Sequence, residues 1–391
     1  MVNQRANLTL PPARKNEPAL RVIIGATILG LGGIRTHLLL LCGLLRSKDV
    51  EVVIFATGSN WDAQTVAGLK DAGVKFVVPP RPIRRSQKLS AIYSAVTWTW
   101  RMPRRANSLY CISPGHSQLL LNRLKPRGAV SINHEIVEPP TPDSTAGQCA
   151  AGLDVTVANS RKVARRMQGF WPQKPIRSIP FLTSDRPTPP PTERRRFDAQ
   201  GLMRVTYLGR LVEQKRPDQL VRRWQHLRSQ PGLAPARLDV YGYDPNGQML
   251  MELRDYVNSS GLSDSVCIHG EYRMADLSRI LEESDLVVLP SLWEGLPLVL
   301  VEAMLRGVPF VASAAGGTEE LGEDNPDVMV TGTDWVDFET GFLAMARKVR
   351  AGIIDSQRLH QWVEKRYGYT AVSEQWLSCL LQPTQFFGLD V

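Results

Sequence analysis

What limits this chain most is a rhythm that stops once and then resumes. Short apolar runs, "RVIIGATI", "VEVVIFATG", "VKFVVPP", "AVSINHE" and "LDVTVANS", alternate with segments of helical length as far as residue 183. The stretch "TSDRPTPPPTERRRFDAQG", rich in proline and charge, interrupts them, and "RVTYLGR", "ARLDVYGYD", "SVCIHGE", "DLVVLPS" and "VPFVASAA" then continue the pattern. Strand-helix alternation of this kind specifies a parallel sheet wound with helices, and a break of linker composition specifies two such units. The expectation is an α/β chain of two doubly wound, Rossmann-like domains facing each other across a cleft, with ligands beyond the carboxyl ends of the strands. The boundaries that follow are a flexible leader at 1–20, a first domain at 21–183, a linker at 184–203 and a second domain at 204–367. The segment 368–391 reads as a helix packing back across the domains.

A length of 391 residues with 43% apolar content supplies two cores of ordinary size. The five cysteines are scattered, with no CxxC pair and no histidine at ligand spacing, so the sequence supports neither a disulfide framework nor a zinc site and fits a reducing, cytoplasmic compartment. No apolar signal-peptide core opens the chain. The one long apolar stretch, residues 22–45, carries Arg35 and His37 in its middle and is broken by Gly30, Gly32 and Gly33, which argues against a membrane span.

Charge separates the halves. Residues 1–185 hold 25 Lys/Arg against 10 Asp/Glu, a net +15, and residues 186–391 hold 22 against 28, a net −6. A basic first half suits an anionic partner such as a membrane surface, a phosphorylated acceptor or a nucleic acid; a merely solvated basic surface fits equally well. Within it, Arg81, Arg84, Arg85, Lys88, Arg101, Arg104 and Arg105 bracket Tyr93, Trp98 and Trp100, the composition of a segment lying on an anionic membrane. An ordinary surface helix with buried aromatics has the same composition.

Three stretches could carry chemistry. "GLGGIRTH", Gly30 to His37, lies between the first strand and the first helix, where glycines allow close backbone approach and a helix start favours an anion. Arg35 stands where a dinucleotide fingerprint needs Gly or Ala. "VTYLGRLVEQKRPDQL" sets Arg210 and Lys215 on a loop at a strand end, able to grip a diphosphate from two directions. "SLWEGLPLVLVEAMLRG" puts Glu294 in the turn after a strand and Glu302 in the following helix, with Gly295 beside the turn and Pro297 at the helix start. Two carboxylates so placed can accept from sugar and ribose hydroxyls, while the helix start favours phosphate.

The run from Ser291 to Gly317 resembles the E-x7-E signature of retaining, nucleotide-sugar-dependent glycosyltransferases of GT-B fold, family 4. "GGIRTH" is similar to that family's N-terminal glycine loop, "VANSRKVARRM" to a segment of its first domain, and "LGRLVEQKRPD" to its diphosphate loop. The resemblance implies that Arg210 and Lys215 bind the donor diphosphate, that Glu302 holds the ribose and that Glu294 contacts the transferred sugar. It further implies that Gly295, Leu296 and Pro297 line the donor site, that Gly33 approaches the phosphate, and that His134 lies near the sugar at the reaction centre. It implies a nucleoside diphosphate sugar as co-substrate, no cofactor, no metal, and a glycan, lipid-linked or small-molecule acceptor. The chain departs from the family in "EGLPL", in Phe181 where Asn is common, and in Arg216 where Gly usually follows the lysine. Two other readings compete: an NAD(P)-linked oxidoreductase on the same sheets, against which Arg35 argues, and a noncatalytic nucleic-acid or membrane binder, which salt-sensitive nucleic-acid binding without sugar transfer would reveal.

Overall fold

The computed structural model describes residues 20–26, 33–56, 63–78, 93, 96–112, 116–137, 141–183, 197 and 201–389. Residues 1–19 of the leader, Gly30 and Gly32, the basic residues Arg81, Arg84, Arg85 and Lys88, and most of the expected linker lie outside them.

Two all-parallel sheets carry the fold. In the first, β1 (Arg21–Ala26), β2 (Glu51–Ala56), β3 (Lys75–Val77), β4 (Ser108–Ile112), β5 (Val130–Glu135), β6 (Val155–Ala158) and β7 (Ile176–Ser178) lie in the order β3-β2-β1-β4-β5-β6-β7. In the second, β8 (Met203–Leu208), β9 (Ala236–Tyr241), β10 (Val266–Gly270), β11 (Leu286–Leu289), β12 (Phe310–Ser313) and β13 (Met329–Thr331) lie in the order β10-β9-β8-β11-β12-β13. The chain is therefore two doubly wound Rossmann-like domains, as the rhythm requires. Each sheet reverses its strand order once, between β1 and β4 and between β8 and β11, and such a reversal opens a crevice at the carboxyl ends of the two strands. The central strands read as continuous apolar runs because both their faces are covered.

The second domain has one core, in which Val205, Tyr207, Trp224, Val288, Phe310 and Phe342 are buried together. The first sheet has a core on each face. On one face, Val22, Ile24, Leu41 and Tyr110 pack with Val372, Trp376, Cys379 and Leu380 of the helix Tyr369–Leu381. Ser108 Oγ donates to the Leu380 carbonyl at 2.8 Å and Trp376 Nε1 to the Pro180 carbonyl at 2.8 Å, so this last stretch belongs to the first domain's interior. On the other face, Ile23, Phe55 and Leu109 surround Trp98, which meets Phe55 edge-on at 5.8 Å. Trp98, grouped above with membrane-facing aromatics, is 1% exposed: its indole fills the core, whereas Trp100 is 85% exposed.

A second correction concerns the glycine turn. The helix Gly33–Arg46 begins at Gly33, so Ile34 to His37 form its first turn and not a loop between strand and helix. His37 is fully buried.

Candidate active site

At the switch point of the second sheet, β8 is followed by Gly209 and Arg210, and the chain enters a short 3-10 turn, Glu213–Lys215, before the helix Pro217–Arg228. Beside it, β11 ends at Leu289, and the turn through Glu294 runs to Pro297, which caps the helix Leu298–Leu305. Two bonds pin these loops together: Leu292 N–H donates to the Gln214 carbonyl at 2.9 Å, and Gln214 Nε2 donates to the Trp293 carbonyl at 2.6 Å. They bring Lys215 onto Glu294 as an ion pair, with side chains 14% and 8% exposed. Arg210 is exposed and donates to Gln214 Oε1 at 3.2 Å. Glu302, in the second turn of its helix, is 5% exposed, and its charge reaches Tyr272 and Arg306. Arg210, Lys215, Glu294 and Glu302 thus share one corner of the second domain, though Lys215 and Glu294 are bonded to each other.

Arg216, where the resembled family usually has glycine, adopts φ +56°, a left-handed conformation costing a non-glycine residue roughly 1–2 kcal/mol. Its guanidinium is anchored, donating to the Thr333 carbonyl at 2.7 Å and lying 4.3 Å over the Trp335 ring. Nothing in the residue's identity announced this backbone.

The domains meet across this corner. A Cβ on Gly295 would stand 1.7 Å from the Ile136 carbonyl oxygen of the first domain, and one on Gly317 would stand 2.6 Å from Ser160 Cβ. These glycines permit backbone to lie against backbone. Gly33 opens its helix facing Leu298 and Phe181, whose side-chain carbons a Cβ would meet at 3.4 and 3.5 Å. Leu296, buried beside the turn, packs in the second core. Next to the glycine contact, Arg161 pairs with Glu323 at 2.5 Å and Lys162 with Glu319 at 2.5 Å, first-domain cations on second-domain carboxylates.

His134 is the penultimate residue of β5, two residues before Ile136. It is fully buried and lies among His37, Tyr110, Phe181 and Trp376 with ring centroids 5.0 to 5.8 Å away. Burial pushes its imidazole down to about 3, so it is neutral at physiological pH. Phe181 stacks on His37 at 4.5 Å and 18°, a use of the phenyl ring that the sequence did not disclose. The neighbouring Glu135 was missed altogether: burial pushes its carboxyl up to about 7, against the pull of the Ile136 and Val137 N–H groups, and its Oε2 is buried without a hydrogen-bond partner.

The expectation of no histidine at ligand spacing needs amending. Cys267 and His269 alternate along β10 onto one face, beside Asp239 of β9, and their ligand atoms lie within 4.8 Å of one another. Asp239 already accepts from His269 Nε2 at 2.7 Å and Arg237 Nε at 2.9 Å.

Comparison with known proteins agrees with this architecture. Residues 203–348 match the family described as Glycosyl transferases group 1. A D-inositol 3-phosphate glycosyltransferase of an Arthrobacter species is 25% identical over 347 residues, 78% of this chain and 80% of that one. A protein of the same name from Salinispora arenicola is 31% identical over 204 residues, 48% of this chain and 46% of that one. Among solved structures, Anabaena HepE in complex with UDP and glucose superposes with a TM-score of 0.68 at 16% identity, over 90% of this chain and 97% of that one. The apo form of the lipopolysaccharide outer core galactosyltransferase WaaB gives 0.67 at 15%, over 93% and 99%. The fold is the GT-B fold of these solved structures, and the match to the group 1 glycosyltransferase model falls within the second domain.

Proposed function

We propose that the chain is a retaining glycosyltransferase of family 4, moving a hexose from a nucleoside diphosphate sugar to a hydroxyl of a glycan, lipid-linked or small-molecule acceptor. One observation carries this reading: two cations and two buried carboxylates converge at the switch point between β8 and β11, opposite a glycine-lined seam with the first domain. Arg210 and Lys215 hold the diphosphate, Glu302 the ribose, and Glu294 the transferred sugar, with Gly295 and Leu296 offering backbone N–H groups at the start of the Leu298–Leu305 helix. HepE, with UDP in its structure, supports a nucleoside diphosphate donor. The leaving diphosphate takes the acceptor's proton as the new glycosidic bond forms on the face the leaving group vacates. The protein's part is to position the reactants and to stabilise the departing charge. Cationic side chains do that without a metal.

Arg101, Arg104 and Arg105, exposed beside Trp100, favour an anionic membrane face for a lipid-linked acceptor, on the cytoplasmic side. Among the described residues no helix is long and apolar enough to cross a membrane. Equal sedimentation with anionic and neutral vesicles at low salt would reject this attachment.

The test of the main reading is calorimetric titration with UDP, GDP, ADP and TDP, beside initial rates with the matched sugar donors. Glu302→Ala should weaken free nucleotide binding about tenfold or more. Glu294→Ala should lower turnover with a smaller effect on nucleotide affinity, since its contact acts mainly at the reacting group. Turnover unchanged in both variants would remove the pair from the active site.

A further inference from the structure

His37, Tyr110 and His134 form one hydrogen-bonded chain whose direction is set by a group that can only donate. The backbone N–H of Leu182 lies 3.1 Å from Nδ1 of His37. Nδ1 must therefore be bare, and the ring's proton sits on Nε2. That Nε2 lies 3.1 Å from the Tyr110 hydroxyl oxygen, which accepts from it. The hydroxyl has one proton of its own, and Nδ1 of His134, 2.5 Å away, is the acceptor within its reach among the described residues, so the proton goes there. His134 is left with its own proton on Nε2, and this atom is buried with no hydrogen-bond partner.

Packing holds the chain in register. Phe181 stacks on His37, and Trp376 lies against His37 at 4.8 Å and His134 at 5.2 Å. Burial, helped by His134, keeps His37 well below the usual histidine range, so neither ring gains a second proton that would reverse the chain. A buried N–H without an acceptor is costly, and a ligand oxygen reaching it would relieve the cost. Its place is the carboxyl end of β5, two residues before the Ile136 carbonyl that meets Gly295 of the other domain.

We propose that His37 and Tyr110 are positioning residues that lock His134 in its Nε2–H form, so that it presents a hydrogen-bond donor, and not a base, to an oxygen of the bound nucleotide sugar. This rests on the glycosyltransferase reading for the identity of the ligand, but the locked tautomer does not.

The experiment is a long-range ¹H–¹⁵N correlation spectrum of the full chain labelled with ¹⁵N-histidine, without substrate. With six histidines in the chain, His134→Asn assigns the ring by its disappearance. The wild type should show His134 with a bare Nδ1 and a protonated Nε2. Tyr110→Phe, which keeps the ring and loses the relay, should mix the tautomers. It should also lower kcat about tenfold while leaving nucleotide affinity within twofold. His37→Gln, whose amide N–H can replace the imidazole N–H, should keep the tautomer and most of the turnover. A protonated Nδ1 on wild-type His134 would overturn the lock, as would a Tyr110→Phe protein with unchanged tautomer. If no nucleotide sugar is turned over, the functional reading falls while the spectrum still decides the tautomer. Mixed tautomers with full turnover in Tyr110→Phe would sink the positioning role alone. Should Tyr110→Phe fail to fold, the wild-type and His37→Gln spectra remain decisive.

Discussion

Glu320 of the second domain caps a helix of the first: its Oε1 accepts the backbone N–H of Lys162 at 2.8 Å, and its Oε2 lies 3.2 Å from Nε of Arg161. Those groups open the helix Arg161–Phe170, where unpaired N–H donors and the helix dipole favour a carboxylate. The bond is made only while the domains are together. Glu320→Ala should therefore favour separation, by about 1.5–3 kcal/mol for a charge-assisted contact. Small-angle scattering should report a larger radius of gyration than wild type at low salt. An unchanged radius would show that other contacts set the closure.

Gly295→Ala tests the seam from the steric side. Its added methyl would fall 1.7 Å from the Ile136 carbonyl, and backbone cannot yield as a flexible side chain does. Turnover should drop at least tenfold, a loss of roughly 1.4 kcal/mol in transition-state stabilisation. Gly33→Ala is the control for folding: its methyl would meet side-chain carbons of Leu298 and Phe181 at ordinary contact distance, so melting temperature should hold. Full activity in Gly295→Ala would mean that the domains react while apart.

Lys215 and Arg210 should separate in stability though both serve the diphosphate. Removing Lys215 leaves Glu294 buried and unpaired, a loss on the order of 3–5 kcal/mol for a buried pair. Arg210 is exposed, and its removal should stay within about 0.5 kcal/mol. Urea unfolding of Lys215→Ala and Arg210→Ala gives the contrast, and calorimetry should show weaker nucleotide binding in both. The double variant Lys215→Met, Glu294→Leu should recover stability without activity.

Glu135 makes stability depend on pH. Its folded-state value, about 7, exceeds the ordinary carboxyl value, so the native state binds the extra proton and stability falls as pH rises from about 4.5 to 7. His134 works the other way: its value of about 3 lies below the ordinary 6.5, so stability falls as pH drops below that point. Glu135→Gln isolates the first effect. The variant should gain on wild type through that window, reaching roughly 2–4 kcal/mol above pH 7. A difference that does not vary with pH would show that folding leaves the Glu135 carboxyl unshifted.

The sheets were legible because each buried parallel strand is a run of apolar, β-branched residues bounded by polar turns, a signal contained within a few residues. The loop pairing Lys215 with Glu294 was half legible. The motifs placed both side chains near a ligand, but the bond between them spans 79 residues of sequence and depends on Gln214 tying two loops together. His37 was read as part of a loop because glycines precede it, while its burial is decided by Phe181, Tyr110 and Trp376, each from a distant element. Trp98 erred for the same reason: composition records that an indole is flanked by arginines, not which way its helix faces. Glu135 carried no signal beyond being a carboxylate next to a histidine.

The helix Tyr369–Leu381 has a consequence for how the protein is made. Val372, Trp376 and Leu380 complete one face of the first sheet, yet they are synthesised after the entire second domain. During translation that face stays uncovered, with Val22, Ile24 and Tyr110 waiting for a lid that is synthesised after the second domain. The first domain thus emerges first and finishes last. A nascent chain stalled before residue 369 should bind chaperone through this bare sheet face, and the same chain extended past residue 381 should release it.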